Sequence, residues 1–261
     1  MKIQSKLLDN NNFKKGLVSY ALCIHEKHPN LNKCISSIFE QTYKKIELII
    51  VIDNNDQNLK SFIKGIIKKK KIKYIFNKNN LGLAKSLNKA ILISSGEFIA
   101  RIDSDDICLK DRTKIQVEYL NNNKDIDVLG SSAFINSDKI KRTVNTLDNS
   151  LEIKKELLFR NPIIHPTVMM RRKIFNYTKY DESYRFCQDY KLWVDIREKF
   201  KFKNLEDKLI YYSVNKKQYS LRRIFYVIKV YVFILIKYKK LITFLGIFLH
   251  FGSIIKKKIN D

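Results

Sequence analysis

Between Ile46 and Asp53 the chain has few structural options. The segment IELIIVI is aliphatic at every position but Glu47, and Asp53 follows it directly. That length suits a strand and is short for a helix, and a β-branched run of this kind fits a strand buried on both faces of a parallel sheet. The flanking segments repeat the rhythm. An apolar run Leu17 to Ile24 precedes an amphipathic stretch Leu31 to Gln41; then come a helix near Leu59 to Lys70, a strand Lys73 to Phe76, a helix Ala84 to Ser94 opened by the Asn80-Leu81-Gly82 turn, and a strand Glu97 to Ile102. This alternation predicts an α/β fold, a Rossmann-like sheet flanked by helices, with ligands at the carboxyl ends of the strands.

The second half is less regular. A helix is expected at Leu151 to Phe159, an extended segment at Thr167 to Met170 and a helix around Asp189 to Lys199. With 45% hydrophobic and 30% charged residues, seven Gly and three Pro, the chain has the composition of a folded protein with little flexible linker. Cys23, Cys34, Cys108 and Cys187 form no CxxC pair, which signals neither a zinc knuckle nor a disulfide framework. Residues 1–16 read as an N-terminal extension without the apolar core of a secretory signal, so the body is expected inside the cell.

Fifty-one Lys and Arg against 26 Asp and Glu leave a net charge of +25. Lysine is spread through plain surface segments such as Ile66 to Lys73, so a solvated basic surface stands beside anionic partners as the explanation. The charge is most pointed after residue 217. From Gln218 to Asp261 nine Lys and Arg oppose one acid, a net of +8, interleaved with the apolar runs Ile224 to Ile236 and Leu241 to Phe251. Neither run reaches the roughly 20 residues of a membrane-spanning helix. The pattern fits an amphipathic helical tail lying on an anionic membrane surface; the other readings are a helical pair packed on the body and a re-entrant hairpin. With residues 17–217 as the body, ending the chain after Gln218 is expected to release it from membranes and leave its ligand site intact.

Candidate chemistry gathers at strand ends. Asp53 projects from the end of its strand, where it serves either a ligand or the cap of a following helix. After Glu97 to Ile102 comes Asp103-Ser104-Asp105-Asp106, three carboxylates in four residues. Such packing of like charge calls for protons or a hard divalent cation, unless the turn is simply solvated.

These segments, VSYALCIHE, SSIFEQTYKKIELIIVID, NLGLAKSLNKAILISSGEFIARIDSDD, HPTVMMRRKIF and YDESYRFCQDYKLW, resemble family 2 glycosyltransferases of GT-A fold in the family's own order. The likeness is greatest to the bacterial enzymes of lipopolysaccharide, capsule and exopolysaccharide synthesis, and covers about residues 17–212. It implies a nucleotide-sugar half, 17–126, and an acceptor half, 127–217. It implies that Asp53 reads the base of a nucleotide-diphosphate sugar, a UDP-sugar first among them. Asp103 and Asp105 become a DxD pair, Asp105 holding Mn2+ or Mg2+ with Asp106 auxiliary. Asp189 becomes the general base of an inverting transfer to a hydroxyl of a lipid-linked or growing glycan, at the cytoplasmic face of the inner membrane. The chain carries Gln188 where the family has Glu, and Ile52-Asp53 where many relatives have two Asp.

Secondary candidates are Asn80, Lys85 and Asn88 at the nucleotide, with a solvated helix position as the alternative for Lys85. Arg101 pairs with the diphosphate or neutralises Asp103, and His165 contacts metal or diphosphate or is structural. Trp193 and Tyr184 stack on a sugar or pack the core. A nucleotidyltransferase of related fold would want a Gly-rich phosphate loop that Ile24-His25-Glu26-Lys27 lacks, and a nucleic-acid binder would want a recognisable module that is absent.

Overall fold

The computed structural model describes residues 13–67, 72–136, 142–144, 146–213 and 221–238. Its centre is β1 (Lys14–Ile24), paired in parallel with β2 (Ile46–Ile52) on one side and β4 (Gly96–Ile102) on the other, with β3 (Ile72–Phe76) beyond β2. The helices α1 (Leu31–Phe39), α2 (Gln57–Ile67) and α3 (Leu83–Ile93) form the crossovers. Strand alternation explains the unbroken apolar runs. Ala21, Cys23, Ile49 and Val51 enter one core, whereas Tyr20, Leu22, Ile24, Leu48, Ile50 and Ile52 enter a second core across the sheet. Register then sets the site: Ile24 lies opposite Ile52 and Leu22 opposite Ile102, so the residues after all three strands emerge at one edge.

The sheet continues as β8 (Met169–Arg171), β6 (Val128–Asn136), β9 (Phe202–Ser213) and β5 (Ile107–Cys108), and β7 (Arg142–Val144) pairs with β6. The described residues thus form a mixed, nine-stranded sheet of order β3-β2-β1-β4-β8-β6-β9-β5. Around it lie α4 (Arg112–Asn122), α5 (Ser150–Glu156), the 3-10 turn His165–Thr167, α6 (Lys173–Tyr177), α7 (Gln188–Ile196) and α8 (Leu221–Tyr238). All four cysteines are free and buried.

Three regions depart from what local sequence pattern shows, for identifiable reasons. Helix α4 has no apolar stripe because its buried face carries Arg112, Thr113 and Gln116 beside Val117 and Leu120. Arg112 donates to the Arg101 carbonyl and to Gln116, and Gln116 donates to the Leu129 and Thr167 carbonyls. Polar burial satisfied in this way erases the 3.6-residue signal. The strands β6 and β9 stabilise each other across some seventy intervening residues, and Gly130 makes room for this pairing, since a Cβ there would lie 2.1 Å from Asn204 Oδ1.

The third difference concerns the tail. Val227, Val230, Tyr231 and Ile234 of α8 are buried in the same core as Leu192 and Trp193 of α7. The Tyr231 hydroxyl donates to the Phe159 carbonyl and the Tyr238 hydroxyl to the Val194 carbonyl, at 2.9 Å for the latter. Helix α8 is therefore packed on the body, and the expectation that the chain can end at Gln218 with its site intact is corrected. Its opposite face leaves Phe225, Ile228, Val232 and Ile236 exposed. Among the described residues no helix is long and apolar enough to cross a membrane. Residues 1–12 of the N-terminal extension and 218–220 and 239–261 of the tail lie outside the described residues.

Candidate active site

The strand ends after β1, β2 and β4 open onto two adjoining cavities that share Leu83, Arg185 and Phe186 in their walls. The first, of about 690 Å³, is bounded by His25, Asp53, Asn80, Arg185, Arg222 and Tyr226 among others. Asp53 is buried at its floor. Its Oδ1 accepts from Leu81 N at 2.8 Å and Asn77 Nδ2 at 2.9 Å, and its Oδ2 from Gly82 N at 2.7 Å. Both oxygens thus hold the 80–82 turn, with Lys89 Nζ securing Asn77 from behind at 2.6 Å. The expected contact to a base is met by a carboxylate already engaged, because the amides of this turn find their acceptor there.

Glycine is required in that turn. Gly82 sits at φ +91°, where side chains are strained, and a Cβ on it would lie 2.9 Å from Arg185 Nη1. Asn80 Oδ1 accepts from Gly82 N and from Arg185 Nη1, each at 3.1 Å, so Asn80 ties the turn to the 185 segment and faces the cavity. Lys85 is exposed and lines neither cavity. Asn88 holds the Tyr180 backbone in both directions, donating at 2.9 Å and accepting at 3.0 Å.

The acidic run stands at the β4 end. Arg101 is 1% exposed, so it lies beneath the run and ion-pairs with Asp103 from below, which leaves it no surface for a ligand. Asp103 lines the second cavity. Burial, reinforced by the Asp103 charge, pushes the Asp105 carboxyl above the usual carboxylate range, and pushes Asp106 up further. Asp106 Oδ1 accepts from Ser213 N at 2.7 Å, whereas its Oδ2 is buried without a hydrogen-bond partner. An acidic cluster with raised proton affinity and an orphaned carboxylate oxygen fits a hard divalent cation. Among the described residues no three His, Cys, Asp or Glu are grouped as a metal centre, so the protein would supply few of the ligands, as is usual for Mg2+.

His165 is not brought to that cluster as a ligand. Its Nε2 is 2.8 Å from the Tyr180 hydroxyl, its ring packs near Trp193, and burial holds its pKa well below the usual imidazole value, so it stays neutral. Tyr180 and Trp193 surround the ring, the Arg101 charge is close by, and His165 forms part of the wall of the second cavity. Trp193 and Tyr184 are likewise core residues.

The second cavity, of about 830 Å³, has Asp103 on one side and Asp189 on another, with Asn161, Arg160, Arg223 and Tyr231 toward α8. Asp189 is in the first turn of α7, directly after Gln188. The residue before the helix, Cys187, adopts φ +56°, a conformation that is costly for a residue with a side chain and tends to mark functional sites. Asp189 Oδ2 accepts from Asn161 Nδ2 at 2.8 Å. Burial raises the Asp189 pKa, and the Arg223 guanidinium is the main influence drawing it back. A carboxylate so placed, with its proton affinity raised, can serve as a proton acceptor.

Sequence reasoning missed His25, Asn161, Arg185, Arg222 and Arg223. His25 and Arg185 sit inside the quoted segments, so their position was the available signal. Asn161 and the two arginines of α8 reach the site only through tertiary packing.

Comparison with known proteins adds a family to this geometry. Residues 19–178 match the model of "Glycosyl transferase family 2". The chain is 36% identical over 217 residues to an uncharacterized glycosyltransferase of Methanocaldococcus jannaschii, covering 80% of this chain and 75% of that one. It is 30% identical over 178 residues to the amylovoran biosynthesis glycosyltransferase AmsE of Erwinia amylovora, covering 66% of this chain and 65% of AmsE. The fold is similar to that of S. aureus TarS solved with UDP, with a TM-score of 0.66 at 18% identity over 84% of this chain; the match spans 65% of that structure, just under two thirds of its length. A mannosyltransferase of Pyrobaculum calidifontis in complex with GDP-Man and Mn2+ gives a TM-score of 0.63 at 14% identity, over 87% of this chain and 68% of that one.

Proposed function

The chain belongs to glycosyl transferase family 2 and is a glycosyltransferase of GT-A fold, and on that premise we propose that it transfers a sugar from a nucleotide-diphosphate sugar to a glycan hydroxyl with inversion, Asp189 being the general base. The observation that carries this reading is that Asp103 and Asp189 line one cavity, which adjoins the cavity floored by Asp53. In this reading the donor's nucleotide occupies the first cavity, on the turn that Asp53 and Asn80 stiffen. UDP-sugars lead the candidate donors, with TarS and the GDP-Man complex of the mannosyltransferase as points of comparison.

Asp103 and Asp105 would hold Mn2+ or Mg2+, with Asp106 behind them. Such a cation, when bound, neutralises charge developing on the departing diphosphate. The chain's own residues do the remainder. Arg101 fixes Asp103 from beneath, and the shared wall at Arg185 and Phe186 brings donor and acceptor into adjoining spaces. Asp189, oriented by Asn161, takes the proton from the attacking hydroxyl. Inversion needs only this one base on the face opposite the leaving group. Asp181 and Glu182 are committed elsewhere, Asp181 to Ser183 N at 2.9 Å and Glu182 to Asn88 at 3.0 Å, which leaves Asp189 as the favoured base.

The acceptor we propose is a lipid-linked or growing surface glycan, a reading that the likeness to AmsE supports. The outer stripe of α8, Phe225, Ile228, Val232 and Ile236, together with the tail's net charge of +8, supports peripheral attachment to an anionic inner membrane. Sedimentation with anionic but not zwitterionic vesicles is expected, weakened by salt; equal binding to both would remove the electrostatic part.

The deciding experiment combines a panel of UDP-, GDP-, dTDP- and CMP-sugars with Mn2+ or Mg2+ and the Asp189→Asn variant. Asp189→Asn is expected to lower transfer by about a hundredfold or more while donor affinity stays within a few-fold. Proton NMR of the product from an α-linked donor should show a β linkage. An active variant or an α-linked product would overturn the mechanism.

A further inference from the structure

Helix α8 begins 43 residues beyond the family match, which ends at residue 178, yet it forms part of both cavity walls: Arg222 and Tyr226 in the first, Arg223 and Tyr231 in the second. Arg223 reaches the entry to α7. Its guanidinium hydrogen-bonds the Cys187 side chain and is the chief opposite charge acting on Asp189. Cys187 holds the left-handed turn that launches α7, so one arginine contacts the strained residue that aims the carboxylate and also faces that carboxylate's charge.

We propose that Arg223 is a positioning residue for this glycosyltransferase, holding the α7 entry at Cys187 and facing the Asp189 carboxylate across the cavity that all three line. The inference rests on the reading of Asp189 as the base.

The physical need is specific. Asp189 is half-buried at the cavity wall, and that burial favours the neutral acid, which cannot accept a proton. The groups that face it are few. Asn161, from the segment after α5, donates one hydrogen bond, and the backbone amides of Asp189 and Tyr190 at the start of α7 contribute favourably. Cys187 and Tyr180 are neutral at physiological pH, because burial pushes the Cys187 thiol up to about 12 and the Tyr180 phenol higher still. Of the other ionisable groups lining the cavity, His165 is held neutral by burial, Asp103 is paired to Arg101, and Arg160 is ion-paired to Glu156. Arg185 is hydrogen-bonded to Asn80, and Tyr190 donates to the Leu157 carbonyl. Arg223 therefore supplies positive charge to Asp189 across the cavity, and it arrives from the helix that also carries the exposed apolar stripe.

The test uses the full chain with Arg223→Met and Arg223→Lys. Carbon-13 NMR titration of the Asp189 carboxyl, assigned by its disappearance in Asp189→Asn, should show its midpoint raised by about one pH unit or more in Arg223→Met. Arg223→Lys, which keeps the charge, should return it toward wild type. For a donor that turns over, the acid limb of kcat/KM should move up with it, so the deficit of Arg223→Met is larger at about pH 5.5 than at about pH 8. UDP affinity measured with Mn2+ should change little. If Arg223→Met fails to fold, Arg223→Gln replaces it in the same comparison. An unshifted midpoint, or a lysine variant shifted as far as the neutral one, overturns the proposal. The two failures separate cleanly: a fully active Asp189→Asn removes the base itself, whereas an inactive Asp189→Asn with an unmoved midpoint removes only the role of Arg223.

Discussion

The Asp53 and Asp103 side of the cleft and the Asp189 side are assembled differently. On the first, each carboxylate follows its own strand in the chain, and the parallel register of β1, β2 and β4 brings the strand ends together. On the second, Asp189 is aimed by a left-handed turn at Cys187, held by Asn161 from a distant segment, and faced by Arg223 from a helix further on. A strand end places a side chain through backbone hydrogen bonding alone. A helix start packed among loops depends on everything around it, so its precision is tertiary.

The sharpest way to break this comparison is to remove the tertiary support. Ending the chain after Gln218 deletes α8 and exposes the partners of Val227, Val230, Tyr231 and Ile234. At roughly 1.5–3 kcal/mol for each buried side chain, the loss approaches the whole stability of a domain. The truncated chain is expected to lose its cooperative thermal transition and to bind no nucleotide. A soluble, cooperatively melting fragment with wild-type UDP affinity would show that α8 is an accessory to the site.

On the strand-end side, Asp105→Ala should leave folding intact and abolish metal dependence. Donor binding measured with and without Mn2+ should become the same, and turnover should fall by about two orders of magnitude. Retained activity together with Mn2+-independent binding would mean that no cation works at this run.

The smallest effect is expected at the turn. Gly82→Ala forces a side chain into φ +91° against Arg185, costing about 1–2 kcal/mol in thermal or denaturant unfolding and weakening nucleotide binding several-fold. A variant of unchanged stability would show that the turn relaxes without cost. That outcome would weaken the view that Asp53 and Asn80 stiffen the first cavity.

Legibility in the sequence followed the same division. The strands Ile46–Ile52 and Gly96–Ile102, the turn at 80–82 and the carboxylates after each strand were readable because local pattern and spatial role coincide there. Helix α4 was not, since its buried face is polar and satisfied by carbonyls from elsewhere in the fold. Nor were β6 and β9, whose short-range pattern is weak and whose stability comes from pairing with each other. At Lys85 and His165 motif position left ligand contact and a structural place both open, and the fold turns Lys85 to solvent and sets His165 beside Tyr180 at the wall of the second cavity.

By itself the sequence determined the parallel β/α core, the edge at which its carboxylates collect, and a tail both apolar and basic. Periodicity, strand-end chemistry and charge are properties of adjacent residues, and they survive without knowledge of what lies across the molecule. Only the tertiary structure decided that Asp53 braces a turn, that Arg101 neutralises Asp103 from below, and that one face of α8 belongs to the core while its first turns wall both cavities. Each of those outcomes depends on which donor, acceptor or charge arrives from a remote segment, and in a desolvated site that arrival sets whether a carboxylate holds a backbone, pairs with an arginine or takes a proton.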